Sequence, residues 1–409
     1  MAPPVHRLPP PPGPAFSFLA GIRVLDLTTS VAGPYAGQLL ADMGAEVLKI
    51  ERPGTGDDAR AWGPPFLDGE SLWFASVNRN KRSLTLAHAT EEGRRVLRDL
   101  VARADVVLVN QMPETLEKLE IDHGTLSAMK PDLIYASVTG FGCTGARSEL
   151  PCYDLIAEGY SGVMDLTGEA AGEPQKVGTP AADLLAGMDA AFAVVTALVD
   201  RGRTGRGHRV DISMVESMTR FMSPRIVPYL GSGELLRRSG AKDSVIAIYQ
   251  VFHASDAPLT LGLGNDAIWK RFWAAVGQPE RGEDARFRAN PDRRAARAEI
   301  VAEIQALLRT RTRAEWLRLF AEARVPAGPI NRVDEVVEDP VLLERGLFYA
   351  VPGRAGPVPQ VGLGIHVDGA AAGASLPPPR LGEHTDAVLG GWLGYDPERI
   401  AALRAKGVI

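Results

Sequence analysis

The first half of the chain alternates short apolar runs with segments of helical periodicity. GIRVLDL (21–27) predicts a buried strand, GPYAGQLLADMG (33–44) a helix with Pro34 in its first turn, and AEVLKIE (45–51) a second strand. Three more apolar runs predict further strands: ADVVLVN (104–110), DLIYASVTG (132–140) and HRVDISM (208–214). Strands that alternate with helices and end in Gly-, Pro- or polar-rich turns are typical of a parallel α/β sheet, which carries its binding loops at those turns.

From about residue 226 the pattern changes. The apolar stretches YQVFHAS and PLTLGLG precede three amphipathic helices, predicted at 266–277, 293–309 and 312–323. This order indicates a smaller α+β domain. The proline-rich segment SLPPPRL, at about 374–380, predicts a linker before a last helix.

Composition sets the broad class of protein. The 409 residues are 45% hydrophobic and 23% charged, as in a soluble globular protein with two or three domains. A net charge of −5 gives no general attraction for nucleic acid, and we find no window of about eighteen apolar residues to span a membrane. The proline-rich opening MAPPVHRLPPPPGPAF predicts a disordered tail without the apolar core of a signal peptide, and we expect a cytoplasmic protein.

Cysteine and histidine usage argues against a disulfide framework or a zinc site. Cys143 and Cys152 are the two cysteines, and the seven histidines do not fall at the spacings of known metal motifs. We therefore expect no metal.

One acid stands out in the segment VGTPAADLLAGMDAAFAVVTAL (177–198), which predicts a buried helix. Pro180 fits the first turn, and Asp183 then lies near the positive end of the helix dipole. Taken alone, the segment favours an acid that stabilises the helix start over a catalytic acid.

The first β-α-β segment can hold a nucleotide, although not in the usual NAD manner. Its turn, TTSVAGPYAG, lacks the GxGxxG pattern that brings backbone N–H groups to a pyrophosphate. Glu51 can accept a ribose hydroxyl, and Arg52 suits a phosphorylated ribose or adenine stacking. The basic cluster NRNKRS (78–83) is interpreted on its own as a solvated loop.

The chain resembles the family III CoA-transferases, which include formyl-CoA:oxalate, carnitine-linked and succinyl-CoA:dicarboxylate enzymes, together with the related α-methylacyl-CoA racemases. The resemblance runs in order from about residue 20 to the C-terminus, so it covers nearly the whole chain. It rests on these stretches: LAGIRVLDLTTSVAGPYAGQLLADMGAEVLKIERPGTGDDAR, SVNRNKRS, DLIYASVTGFGCTG, YDLIAEGYSGVMDLTG, GTPAADLLAGMDAAFAVVTAL, TGRGHRVDISM, VPAGPINRVDEV and LGEHTDAVL.

The resemblance implies a fold that composition does not reveal. It implies an α/β protein with a Rossmann-like large domain, an inserted smaller α+β domain, and an interlocked dimer of two threaded chains. We accordingly divide the chain into a disordered proline-rich tail (1–18), the first part of a large CoA-binding domain (19–225), a small domain (226–329), and a linker with the return to the large domain (330–409). A homodimer is expected, and a heteromer with a homologous subunit remains an alternative.

For Asp183 the resemblance implies the role of catalytic nucleophile, which reverses the local interpretation. The family mechanism passes through an aspartyl–acyl mixed anhydride and an aspartyl–CoA thioester, and needs no metal and no permanently bound cofactor, because the CoA thioester is itself a substrate. We expect the helix N-terminus to keep Asp183 ionised and nearby backbone N–H groups to stabilise the oxyanions.

The resemblance also implies contacts with CoA, although with alternatives. Arg52 matches an arginine at the adenine nucleotide, and Val31 and Ala32 match the loop that lines the CoA channel. Leu86, Asn110 and Lys118 match further CoA contacts. Core packing remains an equal alternative for Leu86 and Ala32, and a strand-end cap remains an alternative for Asn110.

Tyr153 separates transferases from racemases. The racemases carry a histidine at this position and use it with the aspartate as an acid–base pair, whereas a phenol with an ordinary pKa near 10 is a poor base. Tyr153 is therefore predicted to hydrogen-bond a substrate carboxylate or an intermediate, with a half-buried structural tyrosine as the alternative.

The likeness to the succinyl-CoA branch suggests the substrates. The tetraglycine-glutamine loop of formyl-CoA transferase is missing, because the corresponding region reads RRSGAKDSVIAIYQVF. Arg225 is predicted to bind the distal carboxylate of a dicarboxylic acid, as Arg237, Arg238 and Lys242 can, although a solvated basic face is the simpler interpretation of any one of them. We expect CoA transfer from succinyl-CoA to a carboxylic acid, with an α-methylacyl-CoA racemase and, more distantly, an NAD(P)-binding oxidoreductase as alternatives.

Overall fold

A computed structural model describes residues 4–409, so residues 1–3 of the predicted tail lie outside the described residues. The strands, in chain order, are β1 Arg23–Asp26, β2 Glu46–Glu51, β3 Phe66–Leu67, β4 Glu70–Ser71, β5 Lys81–Thr85, β6 Val106–Val109, β7 Ile134–Thr139, β8 His208–Ser213, β9 Tyr249–His253, β10 Pro258–Gly262, β11 Ala327–Pro329, β12 Phe348–Pro352, β13 Pro357–Val361, β14 His366–Val367 and β15 Ala370–Ala371.

The helices follow the same chain numbering. They are α1 Ala32–Asp42, α2 Leu72–Ser76, α3 Glu91–Val101, α4 Pro113–Lys118, α5 His123–Met129, α6 Asp154–Ser161, α7 Val163–Leu166, α8 Ala181–Thr204, α9 Met214–Phe221, α10 Ser223–Ser232, α11 Asp266–Ala275, α12 Pro279–Gly282, α13 Asn290–Ala295, α14 Arg297–Leu308, α15 Arg313–Glu322, α16 Val333–Val337, α17 Pro340–Glu344, α18 Thr385–Leu393 and α19 Pro397–Ala405.

The chain forms two compact units. Of the described residues, unit 1 comprises 4–161, 177–222 and 337–409, and unit 2 comprises 162–176 and 223–336. The sequence placed the corresponding boundaries at 226 and 329, and it did not anticipate that residues 162–176 pack with unit 2. Their backbone explains the assignment, because Gly240 N donates to Gly168 O at 3.1 Å.

Unit 1 is built on a six-stranded parallel sheet with the order β5-β2-β1-β6-β7-β8. This is the doubly wound order 3-2-1-4-5-6 of the Rossmann fold, in which the winding reverses between the first and fourth strands. One face of the sheet shares a core with α3, α18 and α19, through residues such as Leu48, Val107, Leu100 and Leu389. Helices α1 and α8 pack together and also contact strands of the sheet.

Five of the six sheet strands match the strands predicted from apolar runs, and the sixth, β5, was missed. β5 begins at Lys81, within the NRNKRS cluster, and the interpretation of that cluster as a solvated loop is wrong. Arg79, Lys81 and Ser83 are all buried. The reason is that their charges are neutralised internally: Arg79 pairs with Asp42 at 2.6 Å and Lys81 with Asp26 at 2.8 Å.

Helix α8 corrects a second expectation. By length and composition it is able to cross a bilayer, so the statement that the chain has no such window is wrong. In unit 1, however, α8 packs against α1, α6 and α9 and against strands β7 and β8, with a face of small residues such as Ala186, Gly187 and Ala190 buried. A core helix rich in alanine meets the same criteria as a membrane span.

Residues 4–18 differ from the predicted disordered tail. Pro4–Arg7 form a 3-10 turn, and the segment that follows hydrogen-bonds along unit 1. Ala350 N donates to Pro9 O at 2.8 Å, Gly373 N to Pro14 O at 3.2 Å, and Phe16 N to Asp42 O at 2.9 Å. Proline has no N–H but keeps its carbonyl, so a proline-rich segment can dock as a row of acceptors.

Unit 2 has its own core. Its sheet is antiparallel with the order β11-β10-β9, and helices α11, α14 and α15 cover it. This core contains five large aromatic side chains from helices α11 and α15: Trp269, Phe272, Trp273, Trp316 and Phe320. The predicted helix at 293–309 is divided into α13 and α14, and two helices, α18 and α19, follow the proline-rich segment near residue 377 instead of one.

Candidate active site

The site lies where the winding of the unit 1 sheet reverses, at the carboxyl ends of β1 and β6. These two strands are neighbours, so the turn after β1 (27–31) and the residues after β6 meet there. Asn110 binds the turn in both directions: its Nδ2 donates to Thr29 O at 2.8 Å, and Thr29 N donates to its Oδ1 at 3.1 Å. Gln111 Nε2 donates to Leu27 O at 2.9 Å.

Asp183 lies in the first turn of α8. Pro180 immediately precedes the helix and provides no side-chain cap, so the free N–H groups of the first turn need another acceptor. Asp154, at the start of α6, supplies it: its Oδ1 accepts from Ala182 N at 2.8 Å and from Asp183 N at 3.3 Å. The cap is thus a carboxylate from another helix.

A glycine brings the helix that carries Asp183 close to the turn after β1. At Gly187, one turn further along α8, a Cβ would lie 2.6 Å from Ala32 O, a distance that no side chain tolerates. Any larger residue would push α8 away from the start of α1. Gly187 therefore allows the Asp183 carboxyl to face the Ala32 backbone.

The carboxyl of Asp183 is electrostatically unusual. Burial raises its pKa to about 7, with a further contribution from the charge of Asp154, while hydrogen bonding from the Ala32 backbone opposes the rise. The helix N-terminus was expected to keep this acid ionised, but burial and the like charge of Asp154 instead favour its protonated form relative to an ordinary aspartate. Among the described residues, Asp183 has no cationic partner.

Four predicted site residues surround one cavity. Ala32, Asn110, Tyr153 and Asp183 all line a cavity of about 320 Å³ at the carboxyl ends of the strands. Tyr153 is 64% exposed, so it is not the half-buried structural tyrosine that the sequence left as an alternative. Ala32 is largely buried, and Asn110 is also bonded to Thr29, so both combine a structural role with a place in the cavity wall.

The other residues predicted to contact CoA lie elsewhere in unit 1. Val31 lines a neighbouring, mostly apolar cavity of about 580 Å³ with Tyr35, Trp73 and Leu184. Leu86 is fully buried in the core, which favours the packing alternative for its side chain.

Arg52 and Lys118 also lie outside the Asp183 cavity. Arg52 forms an exposed ion pair with Asp58, and Lys118 is exposed at the end of α4.

Glu51 is not free to bind a ribose. Arg60 pairs with it through two hydrogen bonds of 2.7 and 2.8 Å, and Ser83 Oγ donates to it at 2.6 Å. Burial raises the pKa of Glu51, but these donors and the charge of Lys49 outweigh burial and hold the pKa below its ordinary value. This removes the residue on which a dinucleotide site depended.

Arg225 belongs to unit 2 and lines a cavity within that unit. The cavity has a volume of about 700 Å³, and Arg237 and Lys242 line it as well. Arg225 Nη2 pairs with Asp243 Oδ2 at 2.6 Å. Arg238 is not part of this wall, since its guanidinium donates to Asp165 O at 2.8 Å.

Sequence reasoning missed a buried charge cluster below the turn, formed by Asp26, Lys49, Asp57 and Lys81. All four side chains are at most 1% exposed, and the pairs Lys49–Asp57 and Lys81–Asp26 each lie at 2.8 Å. A signal was present in the sequence, since Asp26 and Lys49 interrupt apolar strands at positions where a charge must find an internal partner. Within residues 4–409 no three His, Cys, Asp or Glu side chains group as a metal site.

Comparisons with known proteins identify the family of the chain. Residues 19–385 match CoA-transferase family III. The succinyl-CoA:glutarate CoA-transferase of Mus musculus is 36% identical over 96% of this chain and 90% of its own length. The succinate–glutarate CoA-transferase of Agrobacterium fabrum is 38% identical, over 91% of this chain and 94% of its own length.

A solved structure extends the comparison to the fold. A CAIB/BAIF family protein from Brucella suis superposes with a TM-score of 0.80 and 38% identity, over 91% of this chain and 99% of that chain. The chain therefore belongs to CoA-transferase family III.

Proposed function

We propose that this family III CoA-transferase moves CoA from succinyl-CoA to a second dicarboxylic acid, with Asp183 as the nucleophile. The observation that carries the proposal is the Asp183 carboxyl, which faces an open cavity at the reversal point of the sheet and has a pKa of about 7. The names of the similar proteins from mouse and Agrobacterium fabrum support the choice of succinyl-CoA and a dicarboxylate.

The proposed reaction proceeds in four displacements. The Asp183 carboxylate attacks the carbonyl carbon of succinyl-CoA, the C–S bond breaks, and a succinyl–aspartyl anhydride and CoA thiolate result. The thiolate attacks the aspartyl carbonyl, which releases succinate and leaves an aspartyl–CoA thioester. The acceptor carboxylate displaces the thiolate, and the thiolate then attacks the acceptor carbonyl, which returns Asp183 as a carboxylate.

The pKa of Asp183 suits this role. A carboxylate with an ordinary pKa is a weak nucleophile, and desolvation increases its basicity without removing the ionised form at neutral pH. Each displacement places negative charge on an oxygen attached to Asp183 or to the substrate. The Ala32 backbone, which already acts to lower the pKa of Asp183, is proposed to stabilise that charge.

Tyr153 is proposed to bind a substrate carboxylate or an intermediate through its hydroxyl. It lines the Asp183 cavity and is exposed, so its hydroxyl is accessible to a ligand. Since no histidine of residues 4–409 lines the cavity around Asp183, the described chain offers no second member there for the acid–base pair that a racemase requires.

Arg225 stays a predicted substrate contact, and the unit 2 cavity that it lines is proposed to bind an anionic group of a substrate. Arg225 already pairs with Asp243, but the side chains of Arg237 and Lys242 have no ion-pair partner in the described chain. Two unpaired cations on one cavity wall favour an anionic ligand. Arg52, Asn110, Lys118, Val31, Ala32 and Leu86 stay predicted CoA contacts.

A dimer stays part of the proposal. Helix α8 exposes Met188, Phe192 and Val199, and Phe192 is 75% exposed in the single chain. Exposed apolar side chains on a helix of this kind favour burial against a second chain. We propose an interlocked homodimer in the cytoplasm, with a heteromer containing a homologous subunit as the alternative.

One experiment separates the candidate activities. The purified protein is incubated with succinyl-CoA and radiolabelled acids, and label that enters new CoA thioesters measures transfer. Exchange of the α-proton in deuterium oxide without an acceptor acid would instead indicate a racemase, and NAD(P) bound to the purified protein would indicate an oxidoreductase. If no acid accepts CoA from succinyl-CoA, the proposed function is contradicted.

A further inference from the structure

The turn between β1 and α1 is held at nearly every peptide by a side chain from outside it. Lys49 Nζ donates to Thr28 O at 2.8 Å, and Ser30 N donates to Asp57 Oδ1 at 2.9 Å. Between these two points, Asn110 binds both polar groups of Thr29. A turn fixed at three successive residues has little freedom to change its path.

The conformation held in this way is an unfavourable one. Ser30 has a φ of +71°, in the left-handed region that residues with a side chain rarely adopt. Such a conformation persists where surrounding contacts determine it. The contact at Ser30 itself is the hydrogen bond from its N–H to Asp57.

Asp57 and Lys49 form an ion pair with each other, and each also hydrogen-bonds to the turn. Asp57 Oδ2 lies 2.8 Å from Lys49 Nζ, and both side chains are at most 1% exposed. A buried ion pair is often no more stabilising than two apolar side chains of the same volume. Stability alone therefore gives little reason for the pair, whereas its two contacts define the path of the chain from Thr28 to Ser30.

That path leads directly to the reactive acid. Thr29, Ser30 and Ala32 line the cavity that Asp183 faces, and α8 lies so close to Ala32 that a Cβ at Gly187 would be 2.6 Å from Ala32 O. The Ala32 backbone also acts to lower the pKa of the Asp183 carboxyl. A rotation of the Ser30 backbone would move the Ala32 N–H two residues later. The side chains of Asp57 and Lys49 do not line the cavity, so any effect on Asp183 must pass through the turn.

We propose that Asp57 and Lys49 are positioning residues for the transfer reaction, which fix the left-handed turn at Ser30 so that the Ala32 N–H faces the Asp183 carboxyl. The inference rests on the proposed role of Asp183. It assigns a function to a buried ion pair that does not contact the substrate.

The main test is Asp57→Asn. The new amide keeps an oxygen for Ser30 N, but its NH₂ group would face the Lys49 ammonium. Because both groups are donors, the contact between residues 49 and 57 is lost. We expect kcat for CoA transfer to fall about 10- to 100-fold while KM for the acyl-CoA changes little. The acidic limb of the kcat–pH profile should move to higher pH, because Asp183 loses a donor that favours its ionised form.

Two further variants separate positioning from stability. Lys49→Met with Asp57→Asn removes both charges, so the thermal midpoint should recover relative to Asp57→Asn alone, while kcat should stay low because Thr28 O and Ser30 N are still not held together. Asp42→Asn is the matched control: it breaks another buried ion pair of unit 1, with Arg79, that does not contact the turn. It should lower the thermal midpoint without moving the pH profile.

The outcomes distinguish this inference from the proposed function. The positioning role is overturned if the Lys49→Met, Asp57→Asn double variant recovers full kcat together with its thermal midpoint. It is also overturned if the acidic limb of the kcat–pH profile does not move in Asp57→Asn. If Asp183→Asn abolishes transfer and the Asp57 variants behave as Asp42→Asn does, the inference alone fails. If Asp183→Asn transfers CoA normally, the proposed function fails first.

Discussion

Asp26 and Asp183 both lie near the turn after β1 in unit 1, yet their pKa values move in opposite directions. Burial raises the pKa of each. At Asp26 the charges of Lys81 and Lys49 outweigh burial and hold the pKa below its ordinary value, whereas at Asp183 a second carboxylate, Asp154, adds to the rise. Lys49 and Lys81 pair with buried aspartates beside the turn. Among the described residues, no cation pairs with Asp183, the acid that faces the cavity.

The difference explains why one acid is structural and the other is suited to react. A carboxylate held by two ammonium groups is a poor nucleophile, because its charge is already stabilised in the ground state. Asp183 has no such partner and keeps an open side toward the cavity. The comparison predicts that changes at Asp183 affect activity, and that changes at Asp26 or its partner Lys81 affect stability.

The largest expected effect is the loss of the reactive acid. Asp183→Ala should reduce CoA transfer by at least about 1,000-fold, because a covalent relay has no substitute for its nucleophile. The assay is the rate of label transfer from succinyl-CoA to an acid. Asp189→Asn, on the same helix but bonded to Ser217 outside the cavity, is the control and should keep nearly full activity. Unchanged transfer in Asp183→Ala would remove the basis of the proposed mechanism.

Breaking the buried charge cluster should have the next largest effect, on stability. Lys81→Met leaves the Asp26 carboxylate buried without its ammonium partner and also removes a donor to Pro34 O. We expect the free energy of unfolding, measured by urea denaturation, to fall by ~3–5 kcal/mol. Arg95→Gln, which removes an exposed ion pair with Glu91, should change it by less than ~1 kcal/mol. Equal effects of the two variants would contradict the structural role of the cluster.

Neutralising Asp183 should raise the free energy of unfolding, whereas breaking the charge cluster lowers it. Its pKa rises from 3.8 to about 7 on folding, so between these pH values the folded protein holds a proton that the unfolded chain has lost. The stability cost of Asp183 therefore grows as the pH rises through this window and is complete above about pH 7.

Asp183→Asn removes that cost. The variant should be more stable than the parent by ~1–3 kcal/mol at pH 8, less than the full difference in pKa implies because the carboxyl is only partly buried. The two proteins should unfold alike near pH 4, as urea denaturation at the two pH values will show. A stabilisation that does not depend on pH would mean that the charge of Asp183 is not its cause.

The smallest expected effect concerns the unpaired cations of unit 2. Arg237→Gln and Lys242→Gln should each raise KM for a dicarboxylic acid by roughly 3- to 10-fold, because each removes one charge from the cavity wall. KM for a monocarboxylic acid of similar length should change less. Lys270→Gln, an exposed residue of unit 2 that pairs with Glu283, is the matched control. Equal changes for both classes of acid would exclude this cavity as a site that selects dicarboxylic acids.

The sequence by itself determined the parallel sheet, the family and the candidate nucleophile. Apolar runs such as VVLV in β6 are long enough and regular enough to predict strands locally, and the ordered motifs identify Asp183. Each of these features depends on neighbours within a few residues, or on a pattern along the whole chain, and both can be seen without coordinates.

Only the tertiary structure decided which charged side chains form buried ion pairs and which have no partner of opposite charge. Arg79 and Lys81 look solvated in NRNKRS, but partners 37 and 55 residues away bury them. Asp183 looks like an ordinary helix-start acid, but the pKa of its carboxyl depends on Asp154 and on burial beside α1. Electrostatic environment is a sum over contacts made by distant parts of the chain, so local spacing cannot supply it.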